Sequence, residues 1–537
     1  MIKHKTVREQ WHHDDAVRQG ALDQARFCAS LTKPWYLPPL DQDPNSKLPE
    51  TFSSLAARGI SNLEGRLLLA LYPPGLPFFR FMPAARFLYD ANTPPEMLQE
   101  FESQLHLREL VVLSKLESSA LRTGDNTRRS GFRTRKRQAI AQLLITGDVL
   151  ERIGDDYRIQ VYRRDAYVTS RDESGDVRYH ITREKIDPLI LNNKQLEIAN
   201  LDRGTLQAKP VNDRLEDLFT MAEWQPEDKI WIVRQEVRDK IVLENKEKIT
   251  PFMSTPYELA PGEDYGRGIV EQNLGDVRSM NELTERLLDF AALASKQLIV
   301  TDYNSQVRPQ DLTRPSGSVI QGRVVGGQVQ DIATLKADKV NDFSVAQAVR
   351  ESVRRDLAAT MLMEGENQPT GERVTAFQIQ RIALELEGAL GGVYAPIADA
   401  QQVPLIERVL FMMERDGLLA PLPEDSVEVE ALTGIAALSR EGDQGKLLNL
   451  MGVLGQLGGE TMSRIDMGVL TDLLMRQSGI FEPGLVKTDE QLQQEQQAAM
   501  EQQAQMTATE KAIDVGGNVV EQAATTPQEE NNDRSTG

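Results

Sequence analysis

Few residues in this 537-residue chain stand at spacings that do covalent or hydrolytic chemistry. A phosphate-cradling loop needs Gly-x-x-x-x-Gly-Lys-Ser/Thr; the nearest stretch, Gly442-Asp443-Gln444-Gly445-Lys446-Leu447, lacks the glycine spacing and the magnesium-binding hydroxyl. Tyr265-Gly266-Arg267-Gly268 opens like a dinucleotide loop, but Glu271 stands where the third glycine belongs and no buried strand precedes it. The histidines His4, His12, His13, His106 and His180 include no metal-type pair on one helix face, since neighbours such as His12 and His13 point apart. No Gly-x-Ser-x-Gly nucleophile elbow is present. With 81 Asp and Glu residues, no carboxylate pair stands out as an acid–base couple. Cys28 is the only cysteine, which excludes an intrachain disulfide and a Cys-cluster zinc site and fits a reducing, intracellular compartment. The expectation is a protein that is not an enzyme and carries no cofactor or metal.

One cluster suits contact with a charged polymer. Arg122 to Arg137 holds Arg122, Arg128, Arg129, Arg133, Arg135, Lys136 and Arg137. A solvated loop and helix start is preferred there over a contact for phosphates or an acidic partner. Overall, 61 Lys and Arg against 81 Asp and Glu leave a net charge of -20, which argues against a surface that wraps nucleic acid. No run approaches the roughly 18 apolar residues of a membrane span, and the start Met1-Ile2-Lys3-His4-Lys5 leads into charged sequence, so no membrane association is expected.

The elements that position these residues are helical and stranded by turns, an α+β pattern with room for an ample core. Polar residues with aromatic and proline punctuation make the first 55 positions an irregular lead-in or an arm on a neighbour. Helices are expected over Ala56–Leu71 and Thr93–Ala120. Period-two alternation from Tyr157 to Ile186 surrounds the turn Asp172-Glu173-Ser174-Gly175-Asp176, a hairpin signal, and Ile230–Val233 with Lys240–Leu243 forms a second strand pair.

Next comes a helical pattern from Ile269 to Gln297, roughly 43 Å long at about 1.5 Å per residue. A Gly-, Pro- and Arg-containing module fills Val300 to Lys339, with strands near Ser318–Val325 and Gln328–Ile332 joined at Gly326-Gly327. A second helix carries Ala346, Val349, Val353, Leu357 and Met361 on one face. It ends at the polar turn Glu364-Gly365-Glu366-Asn367-Gln368-Pro369-Thr370-Gly371-Glu372-Arg373, after which Thr375 and Gln378 form a capping box for a third helix. Gly417 reads as a helix C-cap, followed by a strand pattern at Val427–Glu430, helical segments Leu447–Leu457 and Met462–Arg476, and a Gln-rich end.

At this point a family resemblance emerges. Tyr265–Ile269 with Leu274–Arg278, Gly371–Ala376, Leu390–Tyr394 and Pro404–Val409 together resemble the portal, or head-to-tail connector, proteins of short-tailed, podovirus-type bacteriophages. Ala57–Leu63 with Leu67–Pro73 and the hairpin of Tyr167–Ile186 extend the resemblance over residues 40 to 440 in unbroken order.

The resemblance implies an α+β portal-type fold with long stem helices, a small β-rich wing and clip, and a helical crown, assembled into a dodecameric homo-oligomer around double-stranded DNA. It divides the chain into an N-terminal arm and wing (1–266), first stem helix (267–299), clip (300–339), second stem helix (340–363), tunnel loop (364–373), wing-crossing helices (374–416), crown (417–486) and Gln-rich tail (487–537). Glu364, Glu366, Asn367, Gln368, Thr370, Glu372 and Arg373 would then line the DNA channel, with Pro369 a stiffening departure from the family. Arg308, Arg314 and Arg323 would meet DNA or a clip partner. One Arg373 per subunit could form a basic collar that brakes outward slippage, the alternative being a pair with Glu372 or Glu366.

Further partners implied are the terminase packaging motor, tail or adaptor proteins, and the scaffold and major capsid protein. The place is the capsid portal vertex of the virion, after assembly in the host cytoplasm. Two other classes stand beside this one: a packaging ATPase or nuclease, which the missing phosphate loop disfavours, and a tail adaptor or scaffold-like virion protein without its own channel.

Overall fold

The computed structural model describes residues 6–40, 46–74, 78–84, 95–118, 131–294, 298–301, 340–363, 392–423 and 426–431, with parts of 310–335 and 381–390. Helices α1 (Val7–Val17), α2 (Gln19–Ser30) and α3 (Leu55–Leu71) come first, then strand β1 (Phe79–Pro83), α4 (Pro95–Ser118) and α5 (Phe132–Thr146). The centre of the body is α5. From Ala139 to Thr146 every residue is buried, as a helix that is apolar all round must be. It packs against α2, α3 and strand β2 (Asp148–Ile153).

Several polar groups taken into this core find partners there. Lys136 Nζ donates to Glu151 Oε2 at 2.8 Å with both side chains fully buried. Gln142 Nε2 donates to the Tyr162 carbonyl at 2.8 Å, and Thr146 Oγ1 to the Gln142 carbonyl at 2.9 Å. Within the described part of the basic window, Lys136 departs from the solvated face expected from its charge, while Arg137 remains 59% exposed. Lys136 is internal, Arg137 pairs with Glu64, Arg133 donates to the Tyr72 carbonyl, and Arg135 donates to Gln138 at 3.1 Å. Arg122, Arg128 and Arg129 lie outside the described residues.

Two sheets follow. Strand β2 is central in a three-stranded antiparallel sheet with β3 (Ile159–Tyr162) and β9 (Phe252–Pro256). Strands β4 (Tyr167–Arg171), β5 (Val177–Ile186), β6 (Glu216–Gln225), β7 (Ile230–Val237) and β8 (Lys240–Glu247) make a five-stranded antiparallel meander in chain order. The hairpin expected at Asp172–Asp176 joins β4 and β5, with Gly175 at φ +91° and Asp172 Oδ1 accepting from the Ser174 and Asp176 amides. Arg238 and Asp239, at φ 51° and 60°, turn β7 into β8, the positive-φ pair that a two-residue hairpin of this hand requires.

The N-terminal segment departs from the irregular lead-in expected of it. Val7 and Trp11 of α1 are 2% exposed and pack on Val168, Ile181, Phe219 and Met221 of the large sheet. The Glu236 carboxylate accepts from the amides of Val7 (2.9 Å) and Arg8 (3.0 Å), so a negative charge sits on the helix N-terminus where its dipole favours one.

The long helix expected from Ile269 to Gln297 is also broken. It starts as α6 (Ile269–Gln272) and resumes as α7 (Leu274–Ala294). The interruption is Asn273, whose amide and Nδ2 both donate to the Ile269 carbonyl, at 3.2 and 2.8 Å. Such side-chain competition for an i−4 carbonyl disturbs helix geometry.

Strands β10 (Leu298–Thr301) and β13 (Ile332–Leu335) pair, as do β11 (Val324–Val325) and β12 (Gln328–Val329) across Gly326 at φ +64°. Helix α8 (Val340–Thr360) returns along α7, with Phe290 stacked on Phe343 at 5.3 Å between centroids. Helix α9 (Tyr394–Arg415) ends in a Schellman motif: Gly417 at φ +70° donates to the Glu414 carbonyl at 3.1 Å and Leu418 to the Met413 carbonyl at 2.8 Å. The strand expected near Val427 is β14 (Val427–Ala431), paired antiparallel with β1 from Phe79↔Ala431 to Pro83↔Val427. The helical segments expected at Leu447–Leu457 and Met462–Arg476 and the Gln-rich end lie outside the described residues.

Candidate functional site

The polar turn Glu364 to Arg373, with Glu364, Glu366, Asn367, Gln368, Thr370, Glu372 and Arg373 and the capping box expected at Thr375 and Gln378, lies outside the described residues. The entering flank is well defined. Of the apolar face expected for α8, Leu357 and, just past the helix end, Met361 are 1% exposed or less, whereas Val349 is exposed, so the face is buried only toward its C-terminal end. Beyond Thr360 the backbone closes a second Schellman motif: Met363 donates to the Ala358 carbonyl at 2.7 Å and Leu362 to Ala359 at 3.0 Å. The position that glycine occupies at the end of α9 is here Leu362, at φ 51°. A side chain in that region costs about 1–2 kcal/mol.

Helix α3 meets that end directly. Asn62 Nδ2 donates to the carbonyls of Met361 (2.9 Å) and Leu362 (2.7 Å). Gly59 lies under Met361 so closely that an added Cβ would stand 2.9 Å from the Met361 Cβ. On the leaving flank, Arg66 Nη1 donates to Glu385 Oε2 at 2.7 Å, and Glu385 also accepts from Arg381 at 3.1 Å. No local sequence signal announces these roles. A glycine inside a helical pattern, Gly59, is the one hint of a close crossing.

Of the three arginines expected to serve a partner between residues 300 and 339, Arg308 and Arg314 lie outside the described residues, and Arg323 is exposed beside the β11–β12 hairpin. The Tyr265–Gly268 stretch has a packing role. A Cβ on Gly147 would stand 2.2 Å from the Gly266 carbonyl oxygen, one on Gly266 2.5 Å from that of Gly147, and one on Gly268 2.7 Å from that of Leu144. Three glycines let two backbone segments touch, and no phosphate is needed to explain them.

A cleft of about 700 Å3 beside this stretch mixes Arg18, Arg164 and Arg267 with Asp14, Glu263 and Asp264, so its charge selects no single class of ligand. Among the described residues no group of three His, Cys, Asp or Glu side chains is placed to hold a metal, and no helix is long and apolar enough to cross a membrane.

Among the histidines, His180 is 2% exposed and its Nδ1 lies 3.0 Å from Thr169 Oγ1. Burial, and then the Arg171 charge, lowers its pKa to about 3. The unfolded chain takes up this proton below about pH 6.5, whereas the folded chain does so only near pH 3. Stability therefore falls as pH drops through that window, at a slope of up to about 1.4 kcal/mol per pH unit. Urea unfolding at stepped pH should show this slope reduced in His180→Gln; an unchanged slope would assign the acid sensitivity elsewhere.

The family model described as bacteriophage head to tail connecting protein matches residues 4–485. The portal protein of Enterobacteria phage T3 is 28% identical over 527 residues, covering 95% of this chain and 93% of its own length. That of Escherichia phage T7 is 27% identical over 538 residues, covering 98% and 95%. Among solved structures, the neck of an empty gene transfer agent particle aligns over 76% of this chain and 88% of that one, at 12% identity and a TM-score of 0.36. With the family match spanning residues 4–485, the chain belongs to the bacteriophage head to tail connecting proteins.

Proposed function

We propose that this connector protein is the portal ring itself: a dodecamer at one capsid vertex whose channel passes double-stranded DNA during packaging and ejection. The observation that carries this reading is the antiparallel pair α7 and α8. At one end the pair runs into the β10–β13 and β11–β12 strands, and at the other α8 leads to the polar turn. The reading takes the pair as the stem, residues 300–339 as a clip for the terminase motor and for tail or adaptor proteins, and residues 364–373 as the tunnel loop. The N-terminal sheets become the wing, residues 374–416 cross back into it, and residues 417–486 form a crown facing the capsid interior. Leu288 of α7 and Val345 and Val349 of α8 are 48–63% exposed in the single chain, as side chains covered by a ring neighbour would be. Scaffold and major capsid protein would surround the ring during assembly in the host cytoplasm.

An acidic chain suits a conduit, because each phosphate neutralised by Lys or Arg releases counterions and tightens the grip on DNA. On this reading one Arg373 per subunit brakes outward slippage. Arg373→Ala should lower DNA retention in filled heads and weaken its salt dependence, with ring assembly intact. Retention and packaging equal to wild type would remove Arg373 from the channel.

A further inference from the structure

We propose that Asn62 and Arg66 are positioning residues: one face of α3 grips both ends of the chain segment 364–380 and fixes where the polar turn emerges. This rests on the channel reading of that turn. Gly59, Asn62 and Arg66 stand at i, i+3 and i+7, a single stripe on one helix.

Each makes a different contact along that stripe. Gly59 admits Met361, since a Cβ there would come within 2.0 Å of its sulfur. Asn62 donates to two carbonyls, Met361 and Leu362, at the end of α8, where a helix leaves its last acceptors unsatisfied. Arg66 reaches Glu385 on the returning side at 2.7 Å.

Two features separate this from ordinary packing. First, the Schellman position at the end of α8 is Leu362 at φ 51° rather than a glycine, so the geometry has to be held from outside, and Asn62 supplies the holding donor. Second, Arg66 and Glu385 are 15% and 39% exposed, and a partly exposed pair of this kind adds little to global stability. Its consequence is to locate the returning chain on the helix that locates the departing one. The described chain on either side of residues 364–380 is then attached to α3, which is itself buried along Leu55, Ile60, Leu63, Leu67 and Leu71.

The test compares wild-type rings with Asn62→Ala, Arg66→Ala and the double variant Asn62→Ala with Leu362→Gly. Amide hydrogen exchange, DNA retention in filled heads, Tm and ring formation are measured on each. Asn62→Ala should speed exchange at Met361–Met363 about fivefold, as loss of one net hydrogen bond does, and lower retention while rings form and Tm moves little. Arg66→Ala should speed exchange at residues 384–386 and leave Met361–Met363 unchanged. Leu362→Gly should restore protection at residue 363 in the Asn62→Ala background, because glycine takes the left-handed conformation without help. Unchanged exchange in both single variants overturns the proposal, and so does faster exchange with full retention.

Failure of the channel reading shows separately, in rings carrying only Thr370→Cys with a photo-crosslinker: no adduct with packaged DNA would discard that reading. Labelling there is selective, since Cys28 is buried and burial, followed by the nearby Glu271 charge, raises its thiol pKa to about 12.

Discussion

Lys136→Ala is expected to lower the unfolding free energy by about 3–5 kcal/mol, the range for breaking a buried ion pair from one side. The reason lies in what remains. Glu151 is 0% exposed, its Oε2 loses the 2.8 Å bond to Lys136 Nζ, and its Oε1 has no hydrogen-bonding partner in the fold to share the charge. The vacated space adds a cavity against Tyr72, whose ring centroid lies 5.2 Å from the ammonium. The double variant Lys136→Met with Glu151→Leu removes both charges and should recover most of the loss, because two desolvation penalties vanish with one attraction. Urea unfolding at fixed protomer concentration decides it: a loss below about 1 kcal/mol for Lys136→Ala would mean that the pair is hydrated in solution.

Gly147→Ala is the second large expectation, a loss of about 2–5 kcal/mol. Gly147 has φ +79°, which costs a side chain about 1–2 kcal/mol. An added Cβ would also stand 2.2 Å from the Gly266 carbonyl oxygen and 2.6 Å from the Gly268 amide, and relieving that overlap by backbone movement costs about 1–3 kcal/mol more. Gly417→Ala is the internal control. Gly417 shares the left-handed conformation, at φ +70°, but nothing lies within 4 Å of its Cβ position, so it should lose only about 1–2 kcal/mol. Equal losses at the two sites would show that conformation alone, and not backbone contact, governs Gly147.

Both sites bear on what was legible in the sequence. Features set by neighbours along the chain were readable. The Asp172–Asp176 hairpin, the β7 and β8 strands, the Gly326 turn, the Gly417 cap and the Val427 strand all follow from local turn chemistry or period. Features set by distant partners were not. Lys136 looks like one more cation in a basic window until Glu151 is placed beside it. Gly266 and Gly268 look like an incomplete nucleotide loop until Gly147 is brought against them.

The N-terminal helix α1 carries little local signal for a related reason. Val7 and Trp11 are its only buried apolar residues, too few to mark a face, and the large sheet supplies the rest of the contact. Asn273 fits a continuous helix by apolar spacing alone, because its competing bond to Ile269 is a side-chain contact that no count of apolar positions contains. Near the candidate site, the contacts of Asn62 with Leu362 and of Arg66 with Glu385 join residues about 300 apart in the chain, beyond the reach of any local pattern.

Membership of the head to tail connecting proteins makes the chain a structural component of the phage particle rather than an enzyme. The central claim beyond that is the ring. Native mass spectrometry of the purified chain, combined with class averages from electron microscopy, tests it most directly. A closed ring of about twelve copies around a central hole is expected, with the exposed aliphatic residues of α7 and α8 covered between neighbours. A chain that stays monomeric or dimeric at capsid-like salt and concentration would contradict it.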